Sequence, residues 1–175
     1  MKKLSLICCF IPLLLLSQES DFQSWSKVGV QYKIHKKLST TLSQGYRLRE
    51  NASLPDKGFT TLAVVYKIDK DFKLGVGYRL NENYDLAQSV TFQNRYFTDI
   101  YLRKKHKKWT FKDRLRYQNQ ANKYALRNKA EVTYNIRKTP LEPYLAVEAF
   151  YNFEVVNKLR YTLGASYPIN KKINF

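Results

Sequence analysis

Carboxylates are scarce in this 175-residue chain: 14 Asp and Glu stand against 31 Lys and Arg, a formal net charge of +17. Cysteine is scarcer still. The two present, Cys8 and Cys9, are adjacent and lie before residue 10. Beyond them there is no thiol for a disulfide, a nucleophile or a metal site. Histidine is limited to His35 and His106, each in a lysine-rich stretch, and no metal-ligand spacing occurs. No apolar run is long enough for a spanning helix, which needs about 20 residues. The longest, Leu4–Leu16, has 13. No helical period of useful length follows it.

That short run sits behind Met1, Lys2 and Lys3 and ends at Ser17, the layout of a cleaved export signal. A lipoprotein signal would need a small residue before a late cysteine, whereas Ile7 precedes Cys8. The reading is a signal peptide over residues 1–17 and one domain over 18–175. Loss of Lys2 and Lys3 takes the net charge from +17 to +15. Export argues against nucleic acid as the partner of so basic a chain. Outer-membrane lipid, lipopolysaccharide or an anionic solute fits better.

What the chain does contain is period two. Segments of about ten residues alternate apolar with polar side chains: Trp25–Ile34, Leu38–Arg49, Phe59–Ile68, Phe72–Leu80, Leu86–Leu102, Trp109–Asn119, Ala125–Ile136, Pro143–Phe153 and Leu159–Ile169. Alternation sustained this far predicts antiparallel strands. Their length suits tilted bilayer-crossing strands of about 9–11 residues better than the roughly 5–6 of a soluble sandwich. Lys171–Phe175 open a tenth strand that stops half-way, which suggests a truncated chain. The predicted fold is an all-β, antiparallel, up-and-down transmembrane β-barrel of about 10 strands, or 12 if two are missing.

The connections sort by charge. His35–Lys37, Asp69–Asp71, Arg103–Lys108, Arg137–Glu142 and Asn170–Lys172 sum to +9. The alternate set, Glu50–Gly58, Asn81–Asp85, Asn119–Lys123 and Glu154–Asn157, sums to −3. Outer-membrane barrels keep short turns in the periplasm and longer loops outside, which places the basic set in the periplasm. On this scheme Trp25, Tyr32, Tyr66, Phe72, Trp109 and Tyr134 form one aromatic belt. Tyr46, Phe59, Tyr78, Tyr117 and Tyr151 form the other.

If the apolar phase meets lipid, the lumen receives Lys27, Lys33, Arg47, Arg49, Lys73, Arg79, Arg95, Lys112, Arg114, Arg116, Arg127, Lys129 and Arg160 against Asp99, Glu131 and Glu148. Small barrels fill their interior with side chains, and arginine–carboxylate ladders explain part of this set. The excess of cations points to anions, because guanidinium forks hold carboxylates and phosphates at two points and a cation-lined pore selects anions. The candidate anion-binding residues are Arg47, Arg79, Arg95, Arg114, Arg116 and Arg160. Gly45, Gly75, Gly77 and Gly164 fit no phosphate-loop spacing and are expected where strands bend.

Enzymatic signals are weak. A catalytic outer-membrane barrel needs histidine, serine or paired carboxylates at its rim. His35 and His106 sit among cations, which disfavour a protonated base. No catalytic residue and no cofactor is expected. A soluble lipocalin-like barrel is the rival reading; it would line its interior with Val28, Val30, Leu62, Val64, Leu74 and Val76.

Trp25, the RLREN of Arg47–Asn51, RLRYQ at Arg114–Gln118, PYLAVEAFYNF at Pro143–Phe153 and LRYTLGASY at Leu159–Tyr167 resemble the bacterial domain-of-unknown-function family 2490. The resemblance implies a Bacteroidetes-type outer-membrane barrel and supplies a fold and a location but no activity. The expected partners are outer-membrane lipid and lipopolysaccharide, the barrel-assembly machinery during biogenesis and an anionic solute, around a monomer.

Overall fold

The computed structural model describes residues 21–87 and 89–167. The expected signal peptide and the half-strand at Lys171–Phe175 lie outside the described residues. Among the described residues, nine strands follow one another in a single sheet ordered β1 to β9, every neighbouring pair antiparallel. They are β1 Ser24–Lys33, β2 Leu38–Arg49, β3 Leu54–Lys67, β4 Phe72–Tyr84, β5 Val90–His106, β6 Trp109–Gln120, β7 Lys123–Tyr134, β8 Glu142–Tyr151 and β9 Val156–Ser166. The up-and-down all-β architecture is the one the alternation dictates. The sheet curls far enough that the guanidinium of Arg160 on β9 lies 4.8 Å from the ring centre of Trp25 on β1. No helix among the described residues is long and apolar enough to cross a membrane, which says nothing about strands.

Alternation fixes which side chain faces which way. Val28, Val30, Leu62, Val76, Tyr161 and Leu163 point outward, and Leu163 is 83% exposed. Inward lie Ser43, Phe59, Phe97, Asp99, Arg116, Ala146 and Glu148, all buried. The concave side therefore holds most of the buried charge and the convex side is apolar. This inverts the lipocalin arrangement, since the valines that would have lined an apolar cavity are on the outside.

Several expected boundaries shift. Pro55–Gly58 and Asn81–Tyr84 belong to strands, as do Arg103–His106. The real connections are short at both ends, and the longest, residues 135–141, is on the basic side. Loop length therefore does not separate the two ends, although charge still does. Sharp reversals explain how so little chain suffices. Ala121 and Asn122 both adopt left-handed backbone (φ 48° and 61°), the two-residue turn whose twist matches a hairpin. At the opposite end the Asp69 carboxylate accepts the amides of Asp71 and Phe72 at 2.7 and 2.8 Å. Those two donors hold its carboxyl below the usual carboxylate range.

Trp25 is also corrected. It pairs with Arg47, at the end of β1 remote from the basic turn after Lys33, and its ring lies against Arg47 and Arg160 on the inward side. Phe59 likewise leaves the belt for the interior. The remaining outward aromatics do cluster: Trp109 packs on Tyr134 at 4.7 Å near the basic end, and Tyr78 on Tyr96 at 5.3 Å toward the other.

Candidate functional site

The interior is built from a repeated three-strand unit. Gly45 on β2 faces Phe59 on β3, and Gly77 on β4 faces Phe97 on β5. A Cβ on either glycine would fall 2.2 or 2.3 Å from the facing ring, so only glycine lets the phenyl lie down across its neighbour. The other face of each ring then receives an arginine from the next strand. Arg79 on β4 lies 4.3 Å from the centre of Phe59, and Arg116 on β6 lies 3.8 Å from that of Phe97. Such stacking favours a cation, more so where water is excluded. The glycines thus make room for rings, where strand bending was the expectation. Gly164 does the same for Tyr144. Phe150 completes the pattern, with Arg127 and Arg160 at 4.4 and 5.1 Å.

The carboxylates that form ion pairs lie on the wall formed by β5 to β8. Arg116 donates from Nε and Nη2 to Asp99 Oδ1 and Oδ2, both at 2.7 Å, and Tyr101 OH donates to Oδ2 at 2.6 Å. Asp99 is 0% exposed and is satisfied in full by this fork. Glu148 accepts Arg114 and Arg127 at 2.7 Å each through Oε1, and Arg160 at 3.3 Å through Oε2. Glu131 is held between Lys112 and Lys129, at 2.8 Å each. This half of the interior is the expected ladder.

The β1 to β5 wall is different. Lys27, Arg47, Lys57, Arg79 and Arg95 share with the carboxylate wall one cavity of about 530 Å³. None of these five has a carboxylate within 4.0 Å among the described residues. Arg79 and Arg95 stand directly opposite one another in the β4–β5 register, and like charges so placed repel. They are held instead by neutral groups. Arg79 Nε donates to Thr61 at 2.8 Å, Arg95 donates to Gln120, and Arg47 lies 4.1 Å from the Trp25 ring.

The six expected arginines therefore part into two groups. Arg114, Arg116 and Arg160 are neutralised; Arg47, Arg79 and Arg95 are not. Arg49 sits at the rim and donates to the carbonyl of Asp85 at 2.7 Å. Lys57 was missed because its segment reads as a loop. Phe59, Phe97 and Phe150 were missed as arginine platforms, although each is a large apolar residue in the polar phase and each is visible as a break in the alternation. The outward face has the converse break: Asp113 accepts Asn128 Nδ2 at 3.0 and 3.1 Å among apolar neighbours. Among the described residues, no three His, Cys, Asp or Glu come together as metal ligands.

Fold and interior together define an antiparallel up-and-down β-barrel-type sheet with a cationic inner face. The family model described as "Protein of unknown function (DUF2490)" matches residues 22–175, and the chain belongs to that family. No curated protein and no solved structure matches it.

Proposed function

We propose that the protein is an exported outer-membrane β-barrel whose lumen binds or conducts small anions. The observation that carries the reading is the juxtaposition of Arg79 and Arg95 with Lys27, Arg47 and Lys57, none of them within 4.0 Å of a carboxylate among the described residues. An unpaired charge away from water is costly, so this wall needs water or anions beside it. Membrane insertion is supported by the convex face. Val28 and Val30 are each 72% exposed in a contiguous apolar surface, an arrangement soluble proteins avoid and lipid rewards. We infer binding or conduction rather than catalysis. His35 and His106 lie toward the basic end of the sheet, away from Asp99 and Glu148.

Reversal potentials of the purified protein in planar bilayers under a KCl gradient test the reading. Anion preference is expected, and it should weaken in R79Q/R95Q, whose fold is retained because neither arginine closes an ion pair. Silent bilayers, or cation preference, would overturn the anion lumen. A monodisperse protein in plain buffer would overturn the membrane reading itself.

A further inference from the structure

At the basic end the inner face carries a second cation cluster, which the lumen reading does not use. Lys33, Lys67, Lys73 and Arg103 extend inward from the ends of β1, β3, β4 and β5, and Lys37 and Lys70 close over them from the turns. All six line one cavity of about 530 Å³. The scaffold beneath them is ordered by backbone hydrogen bonds. His35 and Leu38 exchange bonds of 3.0 and 3.1 Å, Lys67 N donates to Lys37 O at 2.7 Å, and Arg103 N donates to Asp71 O at 2.7 Å. Of the two carboxylates in the β3–β4 turn, that of Asp69 accepts two amides, and Asp71 lines the adjoining cavity beside Lys73 and Arg103. No carboxylate lines this cavity.

Along β1, Lys33 is six residues from Lys27, roughly 20 Å at about 3.3 Å per residue. The intervening inward residues, Gly29 and Gln31, carry no charge. The basic mouth thus lies at a different level from the arginine cluster, with Asp71, Glu131 and Arg114 lining the space between them, and its chemistry is different. The arginine cluster offers planar forks stacked on rings, whereas five of these six cations are lysines, compact charges on long mobile stems. Several ammonium groups around an open space suit a tetrahedral ligand of high charge that they can surround from different sides. The position of the cavity separates two sources of such a ligand. Lys33, Lys67, Lys73 and Arg103 share the inward phase of their strands, so the cavity opens to the interior, while lipid chains would lie against the outward phase.

We propose that this mouth is a second binding site, taking a soluble solute that bears two or more phosphate groups. The proposal rests on the barrel reading for its access route, but it can be tested without conduction. The probe is pyrophosphate, titrated into the full-length protein in non-ionic detergent at low salt and followed by ³¹P line broadening and calorimetry. Saturable binding is expected, weakened at least tenfold in K67Q/K73Q/R103Q and by a smaller factor in R79Q/R95Q. K37Q/K70Q, confined to the turns and unable to unfold the strands, should weaken it several-fold. Absence of saturable binding at low salt would overturn the site. So would loss of binding in R79Q/R95Q alone, which would place the anion in the deeper cluster. A third arm uses lipid nanodiscs with and without phosphatidylglycerol. Competition of that lipid with pyrophosphate would overturn the soluble source in favour of a headgroup. Binding that persists in a protein silent in bilayers would leave the site standing and the conduction reading fallen.

Discussion

The Arg116 guanidinium meets both oxygens of Asp99 at 2.7 Å while lying 3.8 Å from the centre of the Phe97 ring, so one side chain closes an ion pair and caps an aromatic. Removing it strands a carboxylate that is 0% exposed. R116Q is expected to lower stability by about 3–5 kcal/mol, the cost of breaking a buried pair from one side. D99N/R116Q should recover part of the loss. Thermal midpoints of heat-modifiable gel mobility report this directly, and equal midpoints for wild type and R116Q would show that the pair contributes nothing.

Glu148 serves three arginines, Arg114, Arg127 and Arg160. E148Q should therefore act on stability and selectivity in opposite directions. The midpoint falls, by a cost of about 3–5 kcal/mol, and the anion-over-cation permeability ratio rises because three cations lose their neutraliser. An unchanged ratio would mean that this wall does not face the permeation path.

At Gly45 and Gly77 the expected effect is steric. An alanine Cβ would meet Phe59 or Phe97 at 2.2 or 2.3 Å, so the ring must lift and its arginine with it. Each single alanine substitution should cost about 1–3 kcal/mol, the usual range for overpacking. Pairing G45A with F59L should restore stability relative to G45A alone. If it does not, the ring is not the obstacle.

A topology test needs insertion points outside the strands. Residues 50–53 and 107–108 provide them, at opposite ends of the sheet. Intact cells should label a tag in only one of the two, and an exterior acidic end makes that one residues 50–53. Labelling at 107–108 alone turns the barrel over, and labelling of both removes it from the membrane.

The pair of Asp113 and Asn128 interrupts the outward apolar face near the middle of β6 and β7. Against lipid, a carboxylate there is unfavourable, although less so than a lysine or arginine. D113L is expected to raise the thermal midpoint, by up to roughly 2 kcal/mol of stability. A lower midpoint would show that this carboxylate faces water or protein instead.

The existence of the nine described strands and the phase of each were legible because a two-residue period leaves little freedom once one face is apolar. β2 matches its expected range end to end, Leu38 to Arg49. Strand ends were not legible where polar residues continue a strand past its apolar part, as with Leu54–Gly58, Asn81–Tyr84 and Arg103–His106. The cationic interior was legible as a charge excess. Its division into a paired wall and an unpaired one was not, because pairing depends on register: Glu148 faces Arg160 across one strand boundary and reaches Arg114 across two. The aromatic platforms show the same limit, since Gly45 becomes informative only once it is known to face Phe59.

Three bonds at the basic rim run sideways from hairpin to hairpin: Lys67 N to Lys37 O, Arg103 N to Asp71 O, and Asn135 N to Lys108 O. At the other rim, the backbone turn bonds of Ser53, Asp85 and Asn152 stay within their own hairpins, and the bonds that cross between segments rest on side chains, Arg49 to Asp85 O and Asn51 N to Asp21. Lysine repulsion thus presses outward on the end laced by backbone bonds, while the end tied only by exposed side chains bears less load. Thermal breathing should begin at the end tied only by side chains. In hydrogen–deuterium exchange the amides of Lys67, Arg103 and Asn135 would be among the last rim protons lost, and the turns at Ser53 and Asn152 among the first. A molecule so built holds its strands together at its lysine-rich mouth even while its far end is loosening.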